Sequence, residues 1–122
     1  MNRPPSSIFA ILIGGFLVIE GIWGEVSDVV FGALTTNRIH ATIHILLGVL
    51  GIWTGLRGGA RPFLIFLGIL LIAVGVLRFV PVVGDLIVQL LAVNHAVAYF
   101  NIVVGIVSLI VAYGFGSRSL DT

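Results

Sequence analysis

Apolar residues fill four long stretches of this chain, and polar residues punctuate them at regular places. The stretches run over about residues 8–24, 39–56, 63–80 and 93–115. Each comes close to the ~20 residues that a helix needs to cross the hydrocarbon of a bilayer. The middle break, Arg57-Gly-Gly-Ala-Arg61-Pro62, reads as a tight turn. Pro62 suits the first turn of the following helix, where a missing N–H costs little. The two outer breaks are less polar. Ser27-Asp28 precedes Val-Val-Phe-Gly-Ala-Leu, and Gly84-Asp85 precedes Leu-Ile-Val-Gln-Leu-Leu. A capping residue ahead of an apolar run marks a helix start, so the pattern predicts a short interfacial helix in each outer connection.

The pattern is also written twice. A shift of 57 positions lays Asp85 on Asp28, Leu91 on Leu34, Asn94 on Asn37, Ala98 on Ala41, Ile102 on Ile45 and Gly105 on Gly48. In the first and third stretches, Gly14 and Gly21 match Gly68 and Gly75. The expectation is an all-α, integral membrane four-helix bundle in a single transmembrane domain, residues 1–122, built from two transmembrane hairpins repeated in parallel. A parallel repeat argues against the inverted-repeat transporter designs. Gly48, Gly51, Gly55 and Gly105, with Asn94 and Asn101, are the candidate helix-packing residues. Small side chains let helix backbones approach where lipid removes the hydrophobic drive to associate.

Composition narrows the class. The 122 residues are 59% hydrophobic and 9% charged, against about 25% charged in soluble domains. Cysteine is absent, which excludes disulfides and thiolate metal sites. The net charge of +1 includes no basic cluster, so nucleic acid is not an expected partner; the bilayer and other membrane subunits are. The first stretch follows Arg3 but lacks a small-x-small cleavage site and ends in Glu20-Gly-Ile-Trp-Gly-Glu25. It therefore reads as a retained helix, not a leader. Arg3, Arg57, Arg61 and Arg118 fall on the side of the termini and the central turn, while Arg38 and Arg78 fall opposite with Glu20, Glu25, Asp28 and Asp85. The positive-inside rule then puts both termini in the cytoplasm of a multi-pass protein, in a bacterial inner or photosynthetic membrane. Trp23, Trp53, Tyr99 and Tyr113 read as interface anchors near the span ends.

One motif stands out, Asn37-Arg-Ile-His40-Ala-Thr-Ile-His44-Ile-Leu-Leu-Gly48, with Val93-Asn94-His95 and Asn101-Ile-Val-Val-Gly105 in the second half. Over about residues 8–115 it resembles a group of small bacterial four-span membrane proteins known only as a domain of unknown function. Their pattern is N-x-x-H-x-x-x-H-L-x-x-G in the second span and a related H-L-x-x-G in the fourth. His40, His44 and Gly48 match the first. In the second, Asn101 stands in place of the histidine and His95 is displaced toward the helix start. The resemblance implies an integral membrane location and four helices, and supplies no activity.

Polar groups inside a membrane are functional candidates by default. At about 1.5 Å of rise per residue, His44 lies roughly 8–10 Å inside its span, with Asn101 at similar depth, His40 and His95 nearer the mouths, and Glu20 approaching from the same side. His44, His95 and His40 are candidate axial ligands for a tetrapyrrole, chlorophyll or haem. His40, His44, His95 and Glu20 are an alternative metal set. The H-x-x-x-H spacing lacks the glutamate of the zinc-protease motif. Glu20 with the histidines can also line a proton or ion path, and simple cross-helix hydrogen bonding is the plain alternative. No nucleophile with its base and no phosphate loop is visible, so no enzyme is expected. The leading expectation is an accessory subunit of a larger photosynthetic or respiratory membrane complex carrying one tetrapyrrole. A small oligomeric channel or carrier and a metal-holding bundle are the alternatives.

Overall fold

The computed structural model describes residues 4–114; Arg3, Arg118 and both chain ends lie outside them. Helix α1 spans Pro5–Val26, α2 Arg38–Arg57, α3 Ala60–Leu77, α4 Val83–Leu91 and α5 His95–Gly114. All but α4 are long and apolar enough to cross a bilayer. Chain direction alternates, so α1–α2 and α3–α5 are antiparallel hairpins. Each is packed far more closely within itself than against the other.

Glycine makes that closeness possible. A Cβ on Gly14 would fall 2.6 Å from the Gly48 carbonyl oxygen, and one on Gly48 would fall 2.5 Å from that of Gly14. The second hairpin repeats the contact: a Cβ on Gly68 would be 2.9 Å from the Gly105 oxygen, and one on Gly105 2.8 Å from the Gly68 oxygen. Gly21 faces Ile45 and the Ala41 oxygen, as Gly75 faces Ile102 and the Ala98 oxygen. Further along α2, Gly51 admits Ala10 and the Phe63 ring, and Gly55 admits Ser7 and Ile11. The G-x-x-x-G of α2 therefore serves mainly its own hairpin partner. Leu17, Leu64, Leu67 and Leu71 fill the middle of the bundle.

The outer connections differ from each other. The second contains the expected helix, α4. The first does not: Val29–Val30 (β1) pairs antiparallel with Leu34–Thr35 (β2). The turn between them places Phe31 and Gly32 at φ 55° and 73°, the left-handed pair that a tight hairpin requires. Ser27 does not cap a helix. Its hydroxyl donates to the Val29 carbonyl at 2.8 Å and turns the chain into the strand. β-Branched residues on both sides of an x-Gly pair favour this hairpin over a one-turn helix. The Phe31 ring tucks back along α1, stacked on Phe16 and edge-on to Trp23.

The hairpins are joined at this end by exchanged bonds. The Asn37 amide donates to the Leu90 carbonyl and the Asn94 amide to the Ala33 carbonyl, both at 2.9 Å. Each asparagine also caps its own helix, Asn37 accepting from His40 N–H and Asn94 from Val97 N–H. Thr35 donates to the Ala92 carbonyl at 2.5 Å and Arg78 Nε to that of Val93 at 2.7 Å. With His40 on Leu91, four successive carbonyls at and beyond the end of α4 are satisfied by side chains. A helix terminus leaves such carbonyls without intrahelical donors, and an apolar surround makes leaving them bare costly.

Candidate functional site

The second turn of α1, counted back from Val26, and the first two turns of α2 bring polar side chains inward at one level. Asn37 fixes the start of α2. His40 and His44, one turn apart, then point to the same side, and Glu20 meets them from α1. Residual exposure is 6% for Glu20, 4% for His40, 8% for His44 and 3% for Asn101 of α5, so all four are withdrawn from the lipid face.

Glu20 and His44 are partners: the imidazole Nδ1 bonds the Glu20 carboxylate. A carboxylate only accepts, so Nδ1 carries the proton. The His40 Nδ1–H donates to the Leu91 carbonyl at 3.0 Å, and the His40 and His44 rings meet edge-on, centroids 4.2 Å apart. A side-chain series thus runs from Glu20 through His44 and His40 to the end of α4. With both Nδ1 positions engaged, each ring keeps Nε2 as its remaining polar atom. Asn101 faces the same region from the second hairpin. With His40, His44, Leu71, Val74 and Leu91 it borders a cavity of about 90 Å³ beneath α4.

The remaining candidates fall elsewhere. His95 is exposed at the start of α5, stacked on Phe79 with centroids 5.3 Å apart, and does not join the cluster. Among the described residues no three His, Asp or Glu side chains gather as a metal site. The four-ligand set of His40, His44, His95 and Glu20 is therefore not assembled: His95 opens α5 on its outer side, away from α2. Gly48, Gly51, Gly55 and Gly105 lie in helix contacts, and Asn94 caps α5. Outside the cluster, Glu25 accepts from the Thr42 hydroxyl at 2.6 Å and from Arg38 Nε at 3.3 Å, tying α1 to α2 at the mouth. Sequence reasoning missed the exchanged amides of Asn37 and Asn94. The signal was present, because the two asparagines are equivalent in the repeat.

A family model described as Domain of unknown function (DUF4383) matches residues 7–114. No curated protein and no solved structure matches the chain.

Proposed function

The chain belongs to the DUF4383 family, a domain of unknown function, and from that premise we propose that it is a small membrane relay for protons. Glu20 and His44 are its protonatable pair, and His40 links them to the surface at α4. The observation that carries this reading is the buried Glu20–His44 bond, set where the other hairpin has Val74 and Asn101 and no ionisable group. Glu20 precedes Gly21 as Val74 precedes Gly75, and the two glycines make matching contacts. His40 and His44 correspond to Val97 and Asn101 by the same repeat. The second hairpin packs in the same way with valines at two of these three positions, so close packing alone does not call for a glutamate and two histidines.

The chemistry suits proton loading. With His44 Nδ1–H donated to a carboxylate, the pair carries one negative charge. One proton added at Nε2 makes it a neutral imidazolium–carboxylate pair, and its release restores the first state. Ionisable groups buried in membrane helices mark substrate and ion pathways, voltage sensors and counter-ions, and proton relays are among these roles.

Tetrapyrrole binding finds less support. A cavity of about 90 Å³ is small beside the roughly 300–1,000 Å³ of pockets that enclose drug-sized ligands. The test is proton flux in liposomes reconstituted with the pure protein. Wild type is expected to collapse an imposed pH gradient faster than empty vesicles, and Glu20→Gln and His44→Ala to abolish the difference. Flux unchanged in the double variant would falsify the relay. A gentle-detergent pull-down yielding a stable second subunit and a Soret or chlorophyll band would favour the pigment-bearing accessory subunit instead.

A further inference from the structure

We propose that the end of the bundle around Arg61 is a binding site for an anionic phospholipid, its phosphate on Arg61 and Arg57 and an acyl chain in the groove below. Arg57 ends α2 and Arg61 lies in the first turn of α3. Only Gly58, Gly59 and Ala60 separate them, so both cations sit at one level. Gly58 and Gly59 at φ 111° and 93° make that abrupt reversal, which a side chain would strain.

Arg61 is already oriented. Its Nε donates to the Ala112 carbonyl at 2.9 Å and its guanidinium lies 5.5 Å from the Tyr113 ring centroid. Among the described residues its terminal nitrogens have no protein acceptor. Arg57 lies 5.5 Å from the Trp53 ring centroid in the same manner. Two arginine–aromatic pairs at one end fit the headgroup level, where tryptophan and tyrosine collect. A planar fork of N–H donors suits phosphate oxygens.

Below Arg61 a groove of about 360 Å³ is bordered by Pro62, Ile65 and Phe66. The outward face of α3 continues through Ile69, 59% exposed. From Arg61 to Ile69 is about 12 Å along the helix, comparable with one leaflet's share of a core about 30 Å thick. Charge selects the headgroup. Among the described residues every carboxylate (Glu20, Glu25, Asp28 and Asp85) belongs to the opposite half of the bundle or its connections. None of these four lies at this end to receive a choline ammonium.

The test uses the full chain, stripped of lipid in mild detergent and mixed with equal phosphatidylglycerol and phosphatidylcholine of matched chains. Native mass spectrometry counts the lipid retained. Wild type is expected to prefer phosphatidylglycerol, and Arg57→Gln and Arg61→Gln each to cut the preference about fivefold. Arg78→Gln, at the other end, should leave it unchanged. Arg57 makes no hydrogen bond to Ala112, so its variant reads the site even if Arg61→Gln unfolds. Equal retention of the two lipids, an unchanged preference in Arg57→Gln, or an equal loss in Arg78→Gln would overturn the proposal. So would full displacement by the chainless headgroup glycerophosphoglycerol, since the groove would then contribute nothing.

Discussion

The α1–α2 and α3–α5 hairpins share a frame and differ in what they place on it. Gly14 against Gly48 and Gly68 against Gly105 bring backbones together at the same step of each repeat. Beside that contact, the first hairpin buries Glu20, His40 and His44, whereas the second carries Val74, Val97 and Asn101 at the matching positions. In a bilayer the close contact is a packing requirement, because lipid tails offer no hydrophobic drive toward helix pairing. The ionisable cluster is an addition to one copy, and burying such groups without a use is costly. The comparison thus separates residues that hold the bundle from the ionisable residues on which the proposed relay rests.

The comparison breaks most visibly if the first hairpin is given the residues of the second. Glu20→Val with His44→Asn is expected to cut liposome proton flux by about 100-fold, the scale of a positioned proton donor, while the helices stay paired. Retained flux would mean that the chemistry is not on this hairpin. Stability should respond differently. Glu20→Val alone leaves the His44 Nδ1–H buried and unmatched, at about 1–3 kcal/mol. The double variant should recover part of that loss. A double-mutant cycle in detergent unfolding is expected to give a coupling of ~0.5–3 kcal/mol, and strict additivity would show that the pair is not coupled.

Matched glycines sharpen the shared half of the comparison. Gly48→Ala and Gly105→Ala should each cost about 1–3 kcal/mol, because the new methyl meets backbone in both hairpins. A large cost in one and none in the other would show that the repeat is only superficial. Asn37→Ala and Asn94→Ala should cost ~1 kcal/mol each for the lost cap, read as the same shift in thermal midpoint. The smallest effect belongs to Gly15, where an added Cβ meets nothing within 4 Å. Gly15→Ala is expected to leave stability unchanged or raise it by up to about 1 kcal/mol.

Much of the architecture was legible in the chain. Four apolar runs and the matched glycines already describe two hairpins, because span length and close approach leave direct marks on composition. The first connection was misread because Ser27-Asp28 resembles a cap, while Val29, Val30, Thr35 and Thr36 carry the weaker signal for strands. His95 shows the limit for the site. Its position in the chain fixes its level at the mouth of α5 but not its azimuth, which follows from how α5 rests on α3. Depth and facing combine for Glu20, His40 and His44, whose helices are locked in register by Gly14, Gly21 and Gly48. Arg61 was legible as a charge and not as an oriented fork, since its acceptor at Ala112 lies 51 residues away.

The crossed asparagines have a consequence for biogenesis. While the ribosome has delivered only the leading half, the Asn37 amide and the Ala33 carbonyl can be served by water alone. Their mates, Leu90 and Asn94, arrive only after α3 and α4 have been made. The nascent protein therefore waits at the bilayer surface with its clasp undone, and the late-made half fastens the early one.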